Sequence, residues 1–198
     1  MEGTEIKIAP DGEILVRGPH VFLGYSKDPA ATGEAIDAEG FLRTGDIGVL
    51  DAEGFLRVTD RKKELIITSG GKNIGPQVLE GQLKRIPAVA HAVVVGDRRN
   101  YVTALFTLDP QRTPQVAASI GSPARDVVGA ASCRVFRAWL EGEVERVNAG
   151  LARYESIRRF EILPHEFSIQ GGELTPTLKL KRRVVYQKYA AEIERLYS

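Results

Sequence analysis

The chain has 198 residues, of which 43% are hydrophobic and 27% charged, a composition that supports a packed core and excludes a disordered chain. Its 27 basic and 26 acidic residues nearly cancel, so no overall charge favours nucleic acid or an anionic membrane as partner. The single cysteine, Cys133, excludes an internal disulfide and favours a reducing, cytoplasmic compartment.

The first 59 residues carry the patterns of an antiparallel β segment. Residues 13–17, EILVR, place three apolar residues between two charged ones and predict a half-buried strand. Residues 26–39 predict a loop or a short helix. The heptapeptide DAEGFLR occurs at 37–43 and again at 51–57. Each copy predicts a turn over Asp-Ala-Glu-Gly, followed by the start of a strand.

A charged run and a glycine-rich loop follow. The run DRKKE at 60–64 predicts an exposed linker, and residues 65–68 predict a short buried strand. The segment SGGKN at 69–73 predicts a loop that joins this strand to a helix beginning at Gly75-Pro76, since proline suits the first turn. Such a loop can admit a ligand close to the backbone. It matches neither GxxxxGK[ST] nor GxGxxG, and a plain turn is the simpler interpretation of it alone.

The remaining sequence predicts a small α+β domain over residues 60–198. Strands are predicted at 92–95, 102–108 and 160–163, and a loop or loosely packed insertion at 111–126. Three sets of apolar residues recur at helical spacing and predict core-facing helix faces: Val78, Leu79, Leu83 and Ile86; Phe136, Leu140, Val144, Val147 and Leu151; and Val185, Tyr189, Ile193 and Leu196.

Two further motifs hold candidate chemistry. In Thr44-Gly45-Asp46, the carboxylate could accept hydrogen bonds from the vicinal hydroxyls of a ribose, with a β-turn as the plainer interpretation. Lys179 and Lys181 alternate in a segment predicted to be extended, so both could face one side and stabilise charge on a phosphate oxygen. A solvated basic strand is the alternative. The three histidines and one cysteine lack metal-ligand spacing, so no metal site is predicted.

Each motif is weak alone, but their order is specific. The sequences GEILVRGPHVFLGY (12–25), FLRTGD (41–46), DRKKELIITSGGKNIGP (60–76) and LTPTLKLKR (174–182) resemble the last motifs of the adenylate-forming superfamily. This superfamily covers acyl-CoA synthetases, luciferases and peptide-synthetase adenylation domains. The resemblance extends over nearly the whole chain, and SGGKNIGP and LTPTLKLKR are most similar to long-chain fatty acyl-CoA synthetases.

The resemblance implies a fold in two parts. Residues 1–59 would be a β-rich remnant of the β-barrel subdomain of a large N-terminal domain. Residues 60–198 would be a mobile α+β C-terminal domain with a central sheet and flanking helices. Asp60 would be the hinge between them, within an exposed linker that absorbs the rotation.

The resemblance also implies roles for individual residues. Asp46 would bind the ribose hydroxyls of ATP and of the acyl adenylate, and Arg61 would contact the nucleotide. Lys179 would catalyse adenylation. After the C-terminal domain rotates, Ser69, Gly70 and Lys72 would line the pantetheine tunnel and place CoA.

Two departures from the family pattern qualify these roles. Many members have glycine before the catalytic lysine, whereas this chain has Leu178, which leaves the choice open between Lys179 and Lys181. The phosphate-binding loop and the Tyr-Gly-x-Thr-Glu motif are also missing. We therefore expect a truncated piece without the acyl pocket or the Mg²⁺-holding glutamate, and expect it to be inactive alone.

The resulting hypothesis is part of a long-chain fatty acyl-CoA synthetase that uses ATP, CoA and Mg²⁺, forms acyl-AMP from a fatty acid and releases AMP. One alternative is a stand-alone regulatory module that binds CoA or nucleotide. Another is an adenylating enzyme with a different acid or acceptor thiol. No nucleic acid partner is predicted. No stretch approaches the ~20 apolar residues of a membrane span, which leaves only peripheral membrane contact for the parent enzyme.

Overall fold

The computed structural model describes residues 2–198, which fold as two units, one ending at Leu65 and the other spanning Ile66–Ser198. The elements of the first unit are β1 (Glu5–Ile8), β2 (Glu13–Arg17), α1 (Pro29–Ala35), β3 (Leu42–Leu50), β4 (Leu56–Arg61) and a 3₁₀ turn (Lys62–Glu64). The strands form one antiparallel sheet in the order β1-β2-β3-β4, which confirms the predicted β segment.

Both copies of the DAEGFLR repeat fold as the predicted turn. The side chains of Asp37 and Asp51 each accept hydrogen bonds from the backbone N–H groups two and four residues later, at 2.8 to 3.0 Å. Gly40 and Gly54 have φ values of +81° and +84°, where a side chain would be strained. The aspartate and the glycine therefore specify the turn locally, before β3 in one copy and before β4 in the other.

The charged run does not form the exposed linker that the sequence predicts. Strand β4 continues through Arg61, and Asp60 lies opposite Ile47 of β3. Pairing with β3 buries Asp60 to 2% exposure, and its Oδ1 accepts a hydrogen bond of 2.7 Å from the Arg61 N–H. Arg61 and the 3₁₀ turn that follows it have the exposed character expected of the whole run. The hinge role of Asp60 stays a prediction.

The second unit contains a small hairpin, a three-stranded sheet and helices on both faces of that sheet. Its elements are β5 (Ile66–Ile67), β6 (Asn73–Ile74), α2 (Pro76–Leu83), β7 (Val89–Val95), β8 (Val102–Leu108), α3 (Thr113–Ser119), α4 (Val127–Ser132), α5 (Arg134–Asn148), β9 (Ile157–Ile162), α6 (Arg182–Lys188) and α7 (Ala190–Arg195). Central strand β8 pairs antiparallel with β7 and parallel with β9. This arrangement confirms the predicted central sheet with flanking helices.

Strand β8 contributes to two hydrophobic cores. Phe106 and its even-numbered neighbours pack with α2 to α5, whereas Leu105 packs on the opposite face with α6 and α7. A sheet covered on both faces favours continuous apolar strands, which explains the uninterrupted run of buried residues in β8. Within residues 2–198, no helix combines the length and apolar character needed to cross a membrane.

Three predicted elements of this unit need correction. The 111–126 segment is not a simple loop, because it contains α3, with Ala117 fully buried; its small residues allow close packing. Val78 does not belong to the buried face of α2 and is 44% exposed, while Glu80 turns inward. The final helix breaks at Tyr189 into α6 and α7, although its four predicted apolar residues share one core.

Candidate active-site elements

Asp46 and Arg61 face each other across the β3–β4 pair in the first unit. They are register partners, and Arg61 Nε lies 2.8 Å from Asp46 Oδ1. The arginine side chain is 61% exposed and the aspartate 28% exposed, so both remain accessible to a ligand. The structure thus brings together the two residues that the sequence assigned to the nucleotide.

Thr44-Gly45-Asp46 is part of β3, at an irregularity in its register with β2, and does not form the β-turn of the plainer interpretation. This segment is held by a carboxylate that the sequence motifs did not indicate. Glu13 is buried, and its Oε1 accepts a hydrogen bond of 3.0 Å from the Gly45 N–H. Gly45 has φ +71°, and the Thr44 hydroxyl accepts a 3.1 Å hydrogen bond from the Asp46 N–H. These contacts fix the direction in which the Asp46 carboxylate leaves the strand.

A basic residue completes this polar cluster. Lys62 Nζ lies 2.7 Å from Asp11 Oδ2 and 2.8 Å from Glu13 Oε2, and these two carboxylates raise the pKa of Lys62. Beside the cluster is an open groove of about 520 Å³, whose lining includes Glu13, Tyr25, Thr44, Gly45 and Arg61. The groove is polar along the Thr44-Gly45 segment of β3, as a site for a sugar or phosphate group requires.

The glycine-rich segment closes a β-hairpin and does not lead directly into a helix. Strand β6, which the sequence did not predict, pairs with β5, and α2 begins only after it. The Thr68 N–H donates to the Lys72 carbonyl at 3.0 Å, and the Gly71 N–H donates to the Thr68 carbonyl at 2.9 Å. Ser69, Gly70 and Lys72 therefore lie together on one exposed turn.

A second turn, over residues 97–100, supports this hairpin. The Ser69 hydroxyl donates to Asn100 Oδ1 at 2.6 Å, and the Ser69 N–H donates to the Arg99 carbonyl at 3.0 Å. The Arg98 N–H donates to the Ile67 carbonyl at 2.8 Å. Asn100 was not among the predicted site residues, because a partner 31 residues away leaves no local pattern.

The hairpin surface has open space and a nearby aromatic ring. Lys72 Nζ lies 5.7 Å from the centroid of the Tyr154 ring, within range of a cation–π interaction. A Cβ atom added to Gly70 would meet only Thr68 Oγ1, at 3.9 Å. The glycine at position 70 is therefore not required by packing within the fold.

Lys179 is exposed and lies at the end of a tight turn that begins at Thr175, which corrects the predicted extended segment. The Thr175 N–H donates to the Lys179 carbonyl at 2.8 Å, and the Lys179 N–H donates to Thr175 Oγ1 at 3.0 Å. Lys181 instead caps the start of α6, where its N–H donates to the Glu173 carbonyl at 2.7 Å. The two lysines therefore have different backbone settings.

The backbone conformation at Leu178 shows why glycine suits the position before the lysine. Its φ is +60°, a left-handed conformation that costs an L-residue roughly 1–2 kcal/mol. The side chain is 66% exposed, so little burial offsets this strain. The turn is thus built in the conformation that glycine favours, although leucine occupies it.

We expect Leu178→Gly to leave stability unchanged or raise it by up to about 1 kcal/mol, because relief of strain exceeds the entropy cost of glycine. Leu178→Val should lower stability, since a branched side chain tolerates positive φ poorly. Urea unfolding midpoints of the two variants provide the measurement. A glycine variant less stable than the valine variant would contradict the strain argument.

Arg182, which directly follows Lys181, is mostly buried and forms an ion pair with Glu80. Its Nη1 lies 2.6 Å from Glu80 Oε1 and its Nη2 lies 2.9 Å from Glu80 Oε2, with side chains 13% and 10% exposed respectively. Burial opposes the charge on Arg182, but the Glu80 carboxylate outweighs it and raises the arginine pKa. The spacing of Glu80 from Leu79 and Leu83 could have indicated that its side chain turns inward, but not which residue pairs with it.

A second buried carboxylate, Glu173, lies at the other end of the lysine turn. Its Oε1 accepts a hydrogen bond of 3.0 Å from the Tyr189 hydroxyl and is paired with Lys188, and its Oε2 accepts from the Ser168 N–H at 3.2 Å. His165 Nε2 lies 2.7 Å from the same Tyr189 hydroxyl. Because that hydroxyl donates to Glu173, the histidine nitrogen acts as the donor to it.

The predicted site residues fall into three groups. Asp46, Asp60 and Arg61 belong to the first unit, whereas the hairpin residues and Lys179 occupy separate turns of the second. In the described range 2–198, no group of three or more His, Cys, Asp and Glu side chains is placed to hold a metal ion.

The chain is similar to known proteins over most of its length. Residues 63–198 match the family model of the AMP-binding enzyme C-terminal domain. The chain is 45% identical over 204 residues to long-chain-fatty-acid–CoA ligase FadD15 of Mycobacterium tuberculosis, covering 99% of this chain and 33% of the ligase. It is 42% identical over 206 residues to the mouse ligase ACSBG1, covering 94% and 28%. The chain spans about a third of the length of these curated relatives.

Solved structures of adenylate-forming enzymes share the fold. The A-PCP didomain of carboxylic acid reductase from Segniliparus rugosus, in complex with AMP, is 25% identical with a TM-score of 0.75, covering 98% of this chain and 27% of that one. The o-succinylbenzoate CoA synthetase of Bacillus subtilis, in complex with its acyl-adenylate intermediate, is 30% identical with a TM-score of 0.64, covering 92% and 34%. The chain belongs to the AMP-binding enzyme C-terminal domain family.

Proposed function

We propose that this chain is the C-terminal part of an AMP-forming long-chain fatty acyl-CoA synthetase. In the first half-reaction, a fatty acid attacks ATP to give acyl-AMP and pyrophosphate. In the second, the CoA thiol replaces AMP to give the acyl thioester. The observation that carries the proposal is the 45% identity to a long-chain ligase across 99% of the chain.

For the first half-reaction, the proposal assigns nucleotide binding to the Asp46–Arg61 pair. An aspartate that stays partly exposed can exchange its 2.8 Å contact with Arg61 for hydrogen bonds to the two ribose hydroxyls. Arg61 would then be free to approach the phosphate side of the nucleotide. Lys179, on its exposed turn, would stabilise the charge that develops on the α-phosphate and the leaving pyrophosphate.

For the second half-reaction, the proposal assigns CoA placement to Ser69, Gly70 and Lys72. A glycine with open space beside it leaves room for the narrow pantetheine arm. Lys72 carries a positive charge suited to a phosphate of CoA, and Tyr154 lies beside that charge. The bonds from the 97–100 turn hold the hairpin in shape for this contact.

The proposal includes movement between two domains, residues 1–59 and 60–198, with the hinge at Asp60. Lys179 and the glycine hairpin serve different half-reactions, so a rotation would exchange one for the other at a single active site. Strand β4 ends at Arg61, one residue after Asp60, and the 3₁₀ turn follows directly. Residues 62–64, directly after the paired Asp60 and Arg61, can therefore change their dihedral angles without breaking a core.

Three parts of the proposal concern the complete enzyme. Its Mg²⁺ ligands and fatty-acid pocket would lie outside this chain. It would act in the cytoplasm on fatty acid, ATP and CoA, with at most peripheral membrane contact. A different acid or a carrier-protein thiol as acceptor is the second candidate, favoured by the 25% identity to a carboxylic acid reductase didomain.

A direct test is product analysis with the complete enzyme. Incubation with ATP, Mg²⁺, CoA and fatty acids of graded length should give equal amounts of AMP, pyrophosphate and acyl-CoA. This chain alone should form no acyl-AMP. Tight CoA binding by the chain alone, with no thioester made by the complete enzyme, would instead support a regulatory module. Transfer only to a carrier protein would support the second candidate.

The glycine hairpin gives a prediction for the second half-reaction. Gly70→Val in the complete enzyme should raise KM for CoA by about 10-fold or more, because the added side chain occupies space proposed for pantetheine. Acyl-AMP formation should be nearly unchanged, since the fold has room at this position. The measurement compares both half-reactions at varied CoA concentration.

Gly142→Val serves as the matched control, because a Cβ at position 142 meets no atom within 4 Å and this glycine belongs to α5 and not to the hairpin. It should leave both half-reactions near wild type. Equal CoA kinetics in the Gly70 and Gly142 variants would remove the hairpin from the CoA path.

A further inference from the structure

The ion pair between Glu80 and Arg182 joins two helices that each follow a candidate functional turn. Glu80 lies in α2, eight residues after Lys72, and Arg182 begins α6, three residues after Lys179. The two parallel hydrogen bonds of the pair, at 2.6 and 2.9 Å, set both distance and orientation. The pair therefore fixes the start of α6 against α2 more firmly than a single contact would.

The same pair is bonded to the central sheet. Glu80 Oε1 accepts a hydrogen bond of 2.8 Å from the Val94 N–H, and the Tyr186 hydroxyl donates to the Val94 carbonyl at 2.7 Å. Val94 lies in β7 and is fully buried. Glu80 thus connects the first turn of α6 to the buried strand β7 of the central sheet.

The lysine turn depends on its ends for its position. Between Thr175 and Lys179 the backbone bonds close on the turn itself, and the side chains from 176 to 179 are exposed. The Lys181 N–H donates to the carbonyl of the buried Glu173 at 2.7 Å, which joins the two ends of the turn. The C-terminal end then continues directly into Arg182. A shift at Arg182 would therefore move Lys179.

The glycine hairpin has its own supports, although it lies nearer to Glu80 in sequence. Ser69 is bonded twice to the 97–100 turn, and Ile67 is bonded to Arg98. Loss of the Glu80 pair would leave these bonds in place. The two candidate functional turns therefore differ in how much they depend on this ion pair.

We propose that Glu80 is a positioning residue for adenylation: through Arg182 it holds the turn that presents Lys179, and it does not act on CoA. This inference rests on the proposed function, since it assigns Lys179 to the first half-reaction. It predicts that a residue beside the CoA hairpin in sequence controls the other half-reaction.

The test uses Glu80→Gln and Arg182→Lys in the complete enzyme. Glu80→Gln keeps the shape but removes the charge, and Arg182→Lys keeps the charge but loses the two-pronged contact. Both should lower kcat for pyrophosphate release from fatty acid and ATP by on the order of 10- to 100-fold, because the lysine is misplaced. KM for ATP and thioester formation from supplied acyl-AMP should stay close to wild type.

Arg137→Lys is the matched control. Arg137 lies in α5 of the same unit, and its guanidinium donates a partly buried hydrogen bond of 2.8 Å to the Phe160 carbonyl. Equal loss of both half-reactions in the Glu80 and Arg182 variants would reduce the pair to a purely structural role and overturn the inference. So would wild-type adenylation in Arg182→Lys, the variant that retains a buried charge pair and is expected to fold.

Lys179→Ala, assayed alongside, separates the inference from the function it rests on. A selective adenylation defect in Lys179→Ala, without one in the Glu80 and Arg182 variants, would overturn the inference alone. No selective defect in Lys179→Ala would overturn the assignment of that lysine, and the inference would fall with it.

Discussion

Lys179→Ala in the complete enzyme should reduce acyl-AMP formation by roughly 10²- to 10³-fold, the usual cost of removing one group aimed at transition-state charge. Thioester formation from supplied acyl-AMP should remain close to wild type, because that step is assigned to the glycine hairpin. Pyrophosphate release and acyl-CoA formation, measured separately, distinguish the two half-reactions. Equal loss in both would argue against an adenylation role for Lys179.

Lys181→Ala is the control that decides between the two lysines. Lys181 caps α6 and its backbone bonds to Glu173, whereas Lys179 lies on the exposed turn beside the strained Leu178. We therefore expect Lys181→Ala to retain most adenylation activity. A selective defect in Lys181→Ala, with an active Lys179→Ala, would show that Lys181 is the adenylation lysine.

Glu173→Gln should destabilise the chain by roughly 2–4 kcal/mol, because it removes a buried charge from Lys188 and from the Tyr189 hydroxyl. Glu173 is 1% exposed, so water cannot replace the lost contacts. Urea unfolding at neutral pH measures the change. The matched control is Glu145→Gln on the exposed side of α5, which should change stability by less than about 0.5 kcal/mol.

The same residue gives stability a defined acid dependence. Burial opposes ionisation of Glu173, but Lys188, nearby backbone N–H groups and Tyr189 outweigh it and lower its pKa from 4.5 to about 2. A depressed pKa stabilises the fold above the unfolded value, and the contribution is lost as pH falls from about 4.5 through about 2. The difference between wild type and Glu173→Gln should therefore shrink across this window. A constant difference from pH 5 to pH 2 would exclude an ionised Glu173 as its source.

Much of this protein could be predicted from short sequence patterns. The apolar residues of β2 and β8 and the two DAEGFLR turns each reflect forces that act within a few residues. The motif order around Asp46, Ser69 and Lys179 was enough to predict the family before any coordinates. The turn and strand predictions succeeded because backbone geometry is set largely by neighbouring residues.

The supports of the candidate site could not be predicted in the same way. Glu80 and Arg182 are 102 residues apart, and only the tertiary structure shows that they form an ion pair. Asp60 reads as part of an exposed charged run, yet strand pairing buries it. A buried charge needs a partner of opposite charge. When that partner lies far away in the sequence, the residues around the charge contain no pattern that identifies it.

The DAEGFLR repeat separates the two kinds of information within one molecule. Its aspartate and positive-φ glycine produce the same turn twice, so the sequence alone determined the local structure. The phenylalanines then diverge: Phe41 is 5% exposed and Phe55 is 68% exposed. Phe41 lies beside β2, with Lys7 and Arg17 over its ring, whereas Phe55 leads into the edge strand β4. Turn geometry needs only neighbouring residues, but burial depends on which strands the fold places alongside.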